Sequence, residues 1–234
     1  MVGRLVLIEV QELWCTCAVF CLVLIEFPSV CFVSLTSSKV TAGSMSTEEV
    51  DGTIEFLAIL AQLKNTKRQG WVENNVNEVE SVADHMYRMS VLAMMCPDKT
   101  LNRDHMVRMA LCHDMAEAIV GDITPKMNVD KAEKQRLERD ALTKMVKLLP
   151  GANSEEVQSL WEEYEAQETK EAQFVRDLDL LEMVAQAHTY EKAQEHVELP
   201  TFYPSAAKIK HPWAKSIADR LVETRPKPPK ATSE

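Results

Sequence analysis

Three ionisable side chains, His113, Asp114 and Glu117, interrupt an otherwise apolar stretch that runs from Met109 to Val120. Read as one α-helix, they fall within an arc of roughly 100°, because His113 and Glu117 are four apart and Asp114 sits beside them. A helix apolar on its other sides belongs in the interior, where an ionisable group is costly unless paired or bound to a metal. Imidazole and carboxylate pointing the same way are the donors of a buried metal site with an acid or base beside it. Gly121 then ends the helix, Asp122 is delivered at its C-terminal edge, and Thr124 with Pro125 fixes an extended exit. The bland alternative is the polar arc of an ordinary amphipathic helix, against which stands the rarity of unpartnered Asp and Glu inside.

Other candidates lie on the elements around this stretch. Ser81 with Asp84 three residues later predicts a capping box and a helix start. On that helix His85 shares the core face with Met89 and Leu92, until Pro97 and a polar segment end it. Alone, such a histidine reads as a satisfied core residue; here it is not alone. Upstream, Thr47 to Leu63 carries a broad apolar stripe, followed by the basic break KNTKRQG and then Trp71. Arg68 and Trp71 could clamp a phosphate and a flat base, although a solvated connection with one hydrophobic anchor is the commoner use of such a loop.

Downstream, Lys126 to Arg139 is highly charged and expected to face mostly solvent, while Leu142, Met145, Val146 and Leu149 give a short core stripe ended by Pro150 and Gly151. Ser154 is expected to begin another helix through Trp161 and Tyr164, with EEYEAQETKE as its solvated surface. Phe174 to Ala187 is a helix with Asp177 and Asp179 flanking its apolar face at comparable angles, so periodicity does not choose between them. The loop TFYPS precedes a final helix around Trp213 to Val222, and residues 224–234 read as a disordered tail. His188, His196 and His211 stand among polar residues and attract no chemistry.

The totals of a 234-residue chain, 46% apolar and 26% charged with only 6 Gly, favour helix throughout. A net charge of −10 argues against a nucleic-acid polymer and against anionic membranes, though a metal could still reverse the field locally for a small phosphate ester. Four of the 6 cysteines lie in residues 1–44, which leaves a body that looks reduced and cytoplasmic. Cys112, among apolar neighbours, reads as a packing thiol rather than a nucleophile. Residues 1–44 differ in kind from the rest: their longest uncharged run, Trp14 to Ile25, is too short for a bilayer, and their early acids spoil a signal peptide. The preferred reading makes Met45 the natural start and residues 45–223 the domain.

In order along the chain stand ESVADHMYR around His85, HDMAEAIVGDITP from His113, and DLDLLE around Asp179. This set resembles the HD-domain metal-dependent phosphohydrolases, in the branch that hydrolyses 5'-deoxynucleotides, over roughly Thr53 to Trp213. The resemblance implies an all-α helical bundle around a buried metal site, a homodimer, and release of phosphate from deoxyribonucleoside 5'-monophosphates. Carried over by position, His85, His113, Asp114 and Asp179 would bind the first metal, Asp179 being preferred because the family's last ligand precedes a Leu-Glu context. Glu117 and Asp122 match the pair at the catalytic face and would also hold a second cation, helped by the carbonyl of Ile123. Arg68 and Trp71 match substrate-binding positions.

Two imidazoles and two carboxylates suit Mn, Co, Fe or Zn, and a carboxylate-only second site suits Mg or Mn. A metal there would polarise a phosphoryl oxygen and acidify water, with Glu117 or Asp122 moving the proton. The alternatives are an HD phosphohydrolase of a cyclic nucleotide or nucleotide diphosphate ester, and a helical interaction module with a structural metal. Acids beyond the four ligands weigh against the last of these.

Overall fold

Most of the helices start where a short polar side chain can satisfy the free amides of a first turn. The computed structural model describes residues 45–226, so the expectations for residues 1–44 and for 227–234 lie outside it. Ser46 and Glu49 form a capping box at the start of α1 (Thr47–Leu60), which runs on into a 3-10 turn, Ala61–Lys64. After the one-turn α2 (Gln69–Val72), α3 (Val82–Met95) opens on the expected box of Ser81 and Asp84. Asn102 caps α4 (Arg103–Cys112), Asp130 caps α6 (Lys131–Val146) and Thr169 caps α8 (Lys170–Ala193). Between these lie α5 (Glu117–Val120) and α7 (Gly151–Ala166), and α9 (Pro212–Glu223) closes the order.

The all-α architecture is as expected, and among the described residues no helix is long and apolar enough to cross a membrane. At 24 residues α8 is about 36 Å long, and α3, α4, α7 and α9 all pack against it. The core between them is rich in methionine: Met89, Met106, Met109 and Met145 are fully buried beside Trp161, Leu178 and Leu181. Thioether side chains bend to fill the gaps that crossing helices leave. Thr224 and Arg225, where the tail begins, are docked; Arg225 pairs with Glu191 at 2.7 Å and lies over the Tyr203 ring.

Two expectations need correction. The single helix over Met109 to Val120 is broken: α4 ends at Cys112, residues 113–116 form a tight turn, and α5 resumes at Glu117. The Ala110 carbonyl, which a continuous helix would offer to the Asp114 amide, instead accepts Nδ1–H of His113 at 2.8 Å, and the amides of Met115 and Glu117 bond three residues back rather than four. Nor is this segment buried all round, since Leu111 and Ile119 are exposed. Second, α7 starts at Gly151 rather than Ser154, because Pro150 occupies the N-cap, where its missing amide costs nothing. Lys126 to Arg139 is mostly solvent-facing, as expected, with Glu138 the buried residue of the stretch and Lys134 paired to it.

Candidate metal centre and pocket

The broken helix sets the chemistry. By placing the turn at residues 113–116, the chain brings His113 and Asp114 into the interior against His85 on α3. Nε2 of His113 lies 3.1 Å from Oδ2 of Asp114, and Nε2 of His85 lies 3.6 Å from the same oxygen. Asp179, on α8, directs Oδ1 to 3.5 Å from His85 Nε2. Donor atoms about 2.1 Å from one ion are separated by about 3.0–3.4 Å in octahedral or tetrahedral sets, so this spacing suits a metal. Among the described residues, His85, His113 and Asp114 form the group able to hold one.

The protonation pattern points the same way. A carbonyl can only accept, so His113 Nδ1 carries the proton bound to Ala110, and its Nε2 keeps a free lone pair. His85 Nδ1 lies 2.7 Å from Oε2 of the buried Glu182, which fixes the same tautomer. Both Nε2 atoms are buried without a hydrogen-bond partner, as is Oε2 of Glu117. Such orphans are costly, and a divalent cation would satisfy them. Without a metal, the same site would hold a second proton on its imidazoles instead, and with the rings so charged Asp114 is held far below the usual carboxylate range: burial works the other way, but His113, Arg68 and His85 outweigh it.

Asp177 and Asp179, equivalent by periodicity, separate in the fold. Asp177 accepts the backbone N–H groups of Lys210 at 3.0 Å and His211 at 2.7 Å, and so seats the start of α9. Asp179 instead gives Oδ2 to Arg176 at 2.8 Å and to the Tyr164 hydroxyl at 3.1 Å, which leaves Oδ1 toward His85.

The acids expected at the catalytic face are beside this group. Glu117, 2% exposed, has its carboxyl pushed well above the ordinary range by burial and then by Asp114 and Asp122. Gly121, with φ 76° and ψ 169°, makes a bend that favours glycine, and Asp122 follows it. Oδ2 of Asp122 accepts Gln69 N–H at 2.7 Å, and Oδ1 lies 3.8 Å from Arg68, whose guanidinium also reaches to 3.5 Å from Asp114. The Ile123 carbonyl accepts Lys134 Nζ at 3.3 Å. Arg68, Asp114, Glu117, Asp122, Ile123 and Lys134 line one pocket of about 610 Å³.

Trp71 reaches that pocket but is only 2% exposed. Its indole donates to Glu80 at 2.8 Å, and its ring packs 4.4 Å from Phe202 and 5.5 Å from Tyr190. Phe202, more exposed, covers it at the pocket wall.

Several side chains here escaped sequence reasoning. Glu182 belongs to the DLDLLE string, yet its hydrogen bond to a histidine 97 residues away leaves no local trace. Arg88, which pairs with Glu182, and Arg176 and Tyr164, which hold Asp179, look like ordinary helix-surface positions. Lys134 carries one usable signal, a partner acid four residues on. Cys112 is a packing thiol, buried and pushed up to about 12 by that burial.

The HD-domain family model matches residues 60–218. The 5'-deoxynucleotidase HDDC2 of Xenopus laevis is 47% identical over 174 residues, 74% of this chain and 87% of the relative. The human protein of the same name is 44% identical over 190 residues, 80% of this chain and 93% of that one. Among solved structures, the PH0347 protein from Pyrococcus horikoshii superposes with a TM-score of 0.61 at 29% identity, over 73% of this chain and 96% of that chain. Fold, donor set and sequence agree: the chain belongs to the HD-domain family, alongside the HDDC2 proteins.

Proposed function

We propose that the protein is a metal-dependent 5'-deoxynucleotidase, which hydrolyses deoxyribonucleoside 5'-monophosphates to deoxyribonucleosides and phosphate. The names of its relatives support the activity. The observation that carries it to this chain is the pair of orphaned Nε2 atoms, His85 and His113, set against Asp114 and Asp179, which line a pocket together with Arg68, Glu117 and Asp122.

His85, His113, Asp114 and Asp179 would hold the first metal, with Mn, Co or Mg preferred and Zn or Fe compatible with the same donors. When bound, the ion supplies a Lewis acid and an acidified water. With the Asp114 and Asp122 charges that raise the Glu117 carboxyl offset by bound cations, Glu117, its Oε2 unpartnered, would then take the proton of the attacking water as the new phosphorus–oxygen bond forms. Asp122 lines the same pocket, where it or Glu117 would return a proton to the leaving 5'-oxygen as the old bond breaks, and Glu117, Asp122 and the Ile123 carbonyl would be the donors for a second cation. Arg68 neutralises the remaining phosphoryl charge, a task that suits its fixed fork of donors. The nucleoside fits the less charged end, where Gly70, Leu180, Met183 and Phe202 stand, with Trp71 backing Phe202.

The buried free thiols of Cys96 and Cys112 support a reducing, cytoplasmic setting. Tyr87 and Met94, seven residues apart and so on one face of α3, are 69% and 61% exposed, which supports a contact with a second copy in a homodimer.

The test is phosphate release from a panel of deoxy and ribo 5'-monophosphates with Mn, Co, Mg or Zn and a chelated control. Metal-dependent release from the deoxy set alone is expected. A protein that binds metal but releases nothing from any monophosphate refutes the proposal.

A further inference from the structure

One lysine on α6, its side chain 36% exposed, reaches into the pocket that holds the proposed catalytic acids. Lys134 Nζ lies 3.4 Å from Oε1 of Glu138, one turn further on, and donates to the Ile123 carbonyl at 3.3 Å. Glu138 is itself only 8% exposed, so the pair is a built anchor rather than a passing surface contact. Lys134 lines the same pocket as Arg68, Glu117 and Asp122. With Glu138, Glu117, Asp114 and Asp122 around it, its ammonium is held in the charged form despite burial.

Donor accounting shows what this cation is free to do. Arg176 is committed to Asp179 and Tyr164, and Arg68 reaches the pocket from the α2 side through its contacts with Asp114 and Asp122. A guanidinium fork grips two oxygens, whereas a phosphomonoester dianion presents three that are not bridging. An ammonium has three N–H donors; Lys134 gives one to Glu138 and one to Ile123, which leaves a third.

Resting on the nucleotidase reading, we propose that Lys134 is a second phosphate-binding residue, which donates its remaining N–H to a phosphoryl oxygen from the α6 wall while Glu138 positions it. The competing role is structural, with Lys134 merely bracing the turn at Ile123.

Lys134→Gln, Lys134→Arg and Glu138→Gln separate the two. Steady-state kinetics with a deoxyribonucleoside 5'-monophosphate give KM, kcat and the inhibition constant of inorganic phosphate. Calorimetry on the metal-loaded protein then reads inorganic phosphate binding without turnover. For Lys134→Gln we expect KM and both phosphate constants to rise by about tenfold to a hundredfold, the scale of one charge-assisted hydrogen bond. Lys134→Arg should restore most of that loss. If Lys134→Gln lowers kcat alone, with KM and the phosphate constants unchanged and no rescue by arginine, Lys134 only braces the turn and the proposal fails while the nucleotidase stands. If Lys134→Gln does not fold, Glu138→Gln decides, since it keeps the ammonium and removes its tether: raised phosphate constants support the proposal, and unchanged ones overturn it. Wild-type protein that releases no phosphate from any monophosphate fails the parent reading instead, and calorimetry with inorganic phosphate still reports on Lys134.

Discussion

Replacing Glu182 by glutamine should weaken the first metal by about tenfold, although Glu182 is not among the proposed ligands. Its Oε2 accepts Nδ1–H of His85 at 2.7 Å, and its other oxygen pairs with Arg88. The carboxylate is 0% exposed; burial disfavours its charge, but His85 and Arg88 hold it below the ordinary range. Glutamine keeps the shape and an accepting oxygen but loses the charge. A hydrogen bond to a charged group contributes about 1.5–3 kcal/mol and a neutral one about 0.5–1.5, so the difference is about 1–2 kcal/mol, or roughly five- to thirtyfold in affinity. That agrees with the roughly 10- to 100-fold usual for a partner that orients a ligating histidine. Competition against a coloured chelator reads the affinity directly, with circular dichroism as a check on folding. Unchanged metal affinity in a folded Glu182→Gln protein would show that His85 either binds no metal or is not oriented by Glu182.

Glu117→Ala should abolish turnover while metal content and melting temperature stay close to wild type; loss of metal with unfolding would make Glu117 a structural residue. Glu80, pushed up to about 7 from an ordinary 4.5 by burial and by Glu182, holds its proton more tightly folded than unfolded. Its contribution to stability is therefore fully present below about pH 4.5 and is lost as pH rises through about 7. Glu80→Gln should accordingly gain on the order of 1–2 kcal/mol on wild type between pH 5 and pH 8 in urea titrations, after discounting for solvent screening, and a pH-independent difference would refute this. Phe202→Ala should raise KM for the nucleotide by roughly tenfold through loss of buried aromatic area and leave inorganic phosphate inhibition unchanged; equal loss of both would move Phe202 away from the nucleoside end.

What could be read from the chain was local. The box of Ser81 and Asp84 depends on residues three apart, and His113, Asp114 and Glu117 stand out because their neighbours are apolar. The break after Cys112 was hidden because Met115 and Ala116 are good helix formers, and it takes burial of His113 and a side-chain bond to Ala110 to override them. Asp177 and Asp179 could be separated only by resemblance, since their difference lies in what α9 and Tyr164 bring to them. Arg88 and Glu182 look like any charged helix residue until their partners arrive from distant sequence, whereas Lys134 has Glu138 one turn on. Trp71 was legible as an anchor, but that Phe202 would cover it depends on a loop more than 100 residues later.

The two aspartates of α8 also bear on how the protein tolerates change at its C-terminal end. Asp177 grips the amides of Lys210 and His211 just before α9, and two residues along the same rigid rod Asp179 faces His85. A fusion partner, truncation or insertion that strains α9 therefore has a lever on the site, and its mark would be lost activity in a protein that still folds.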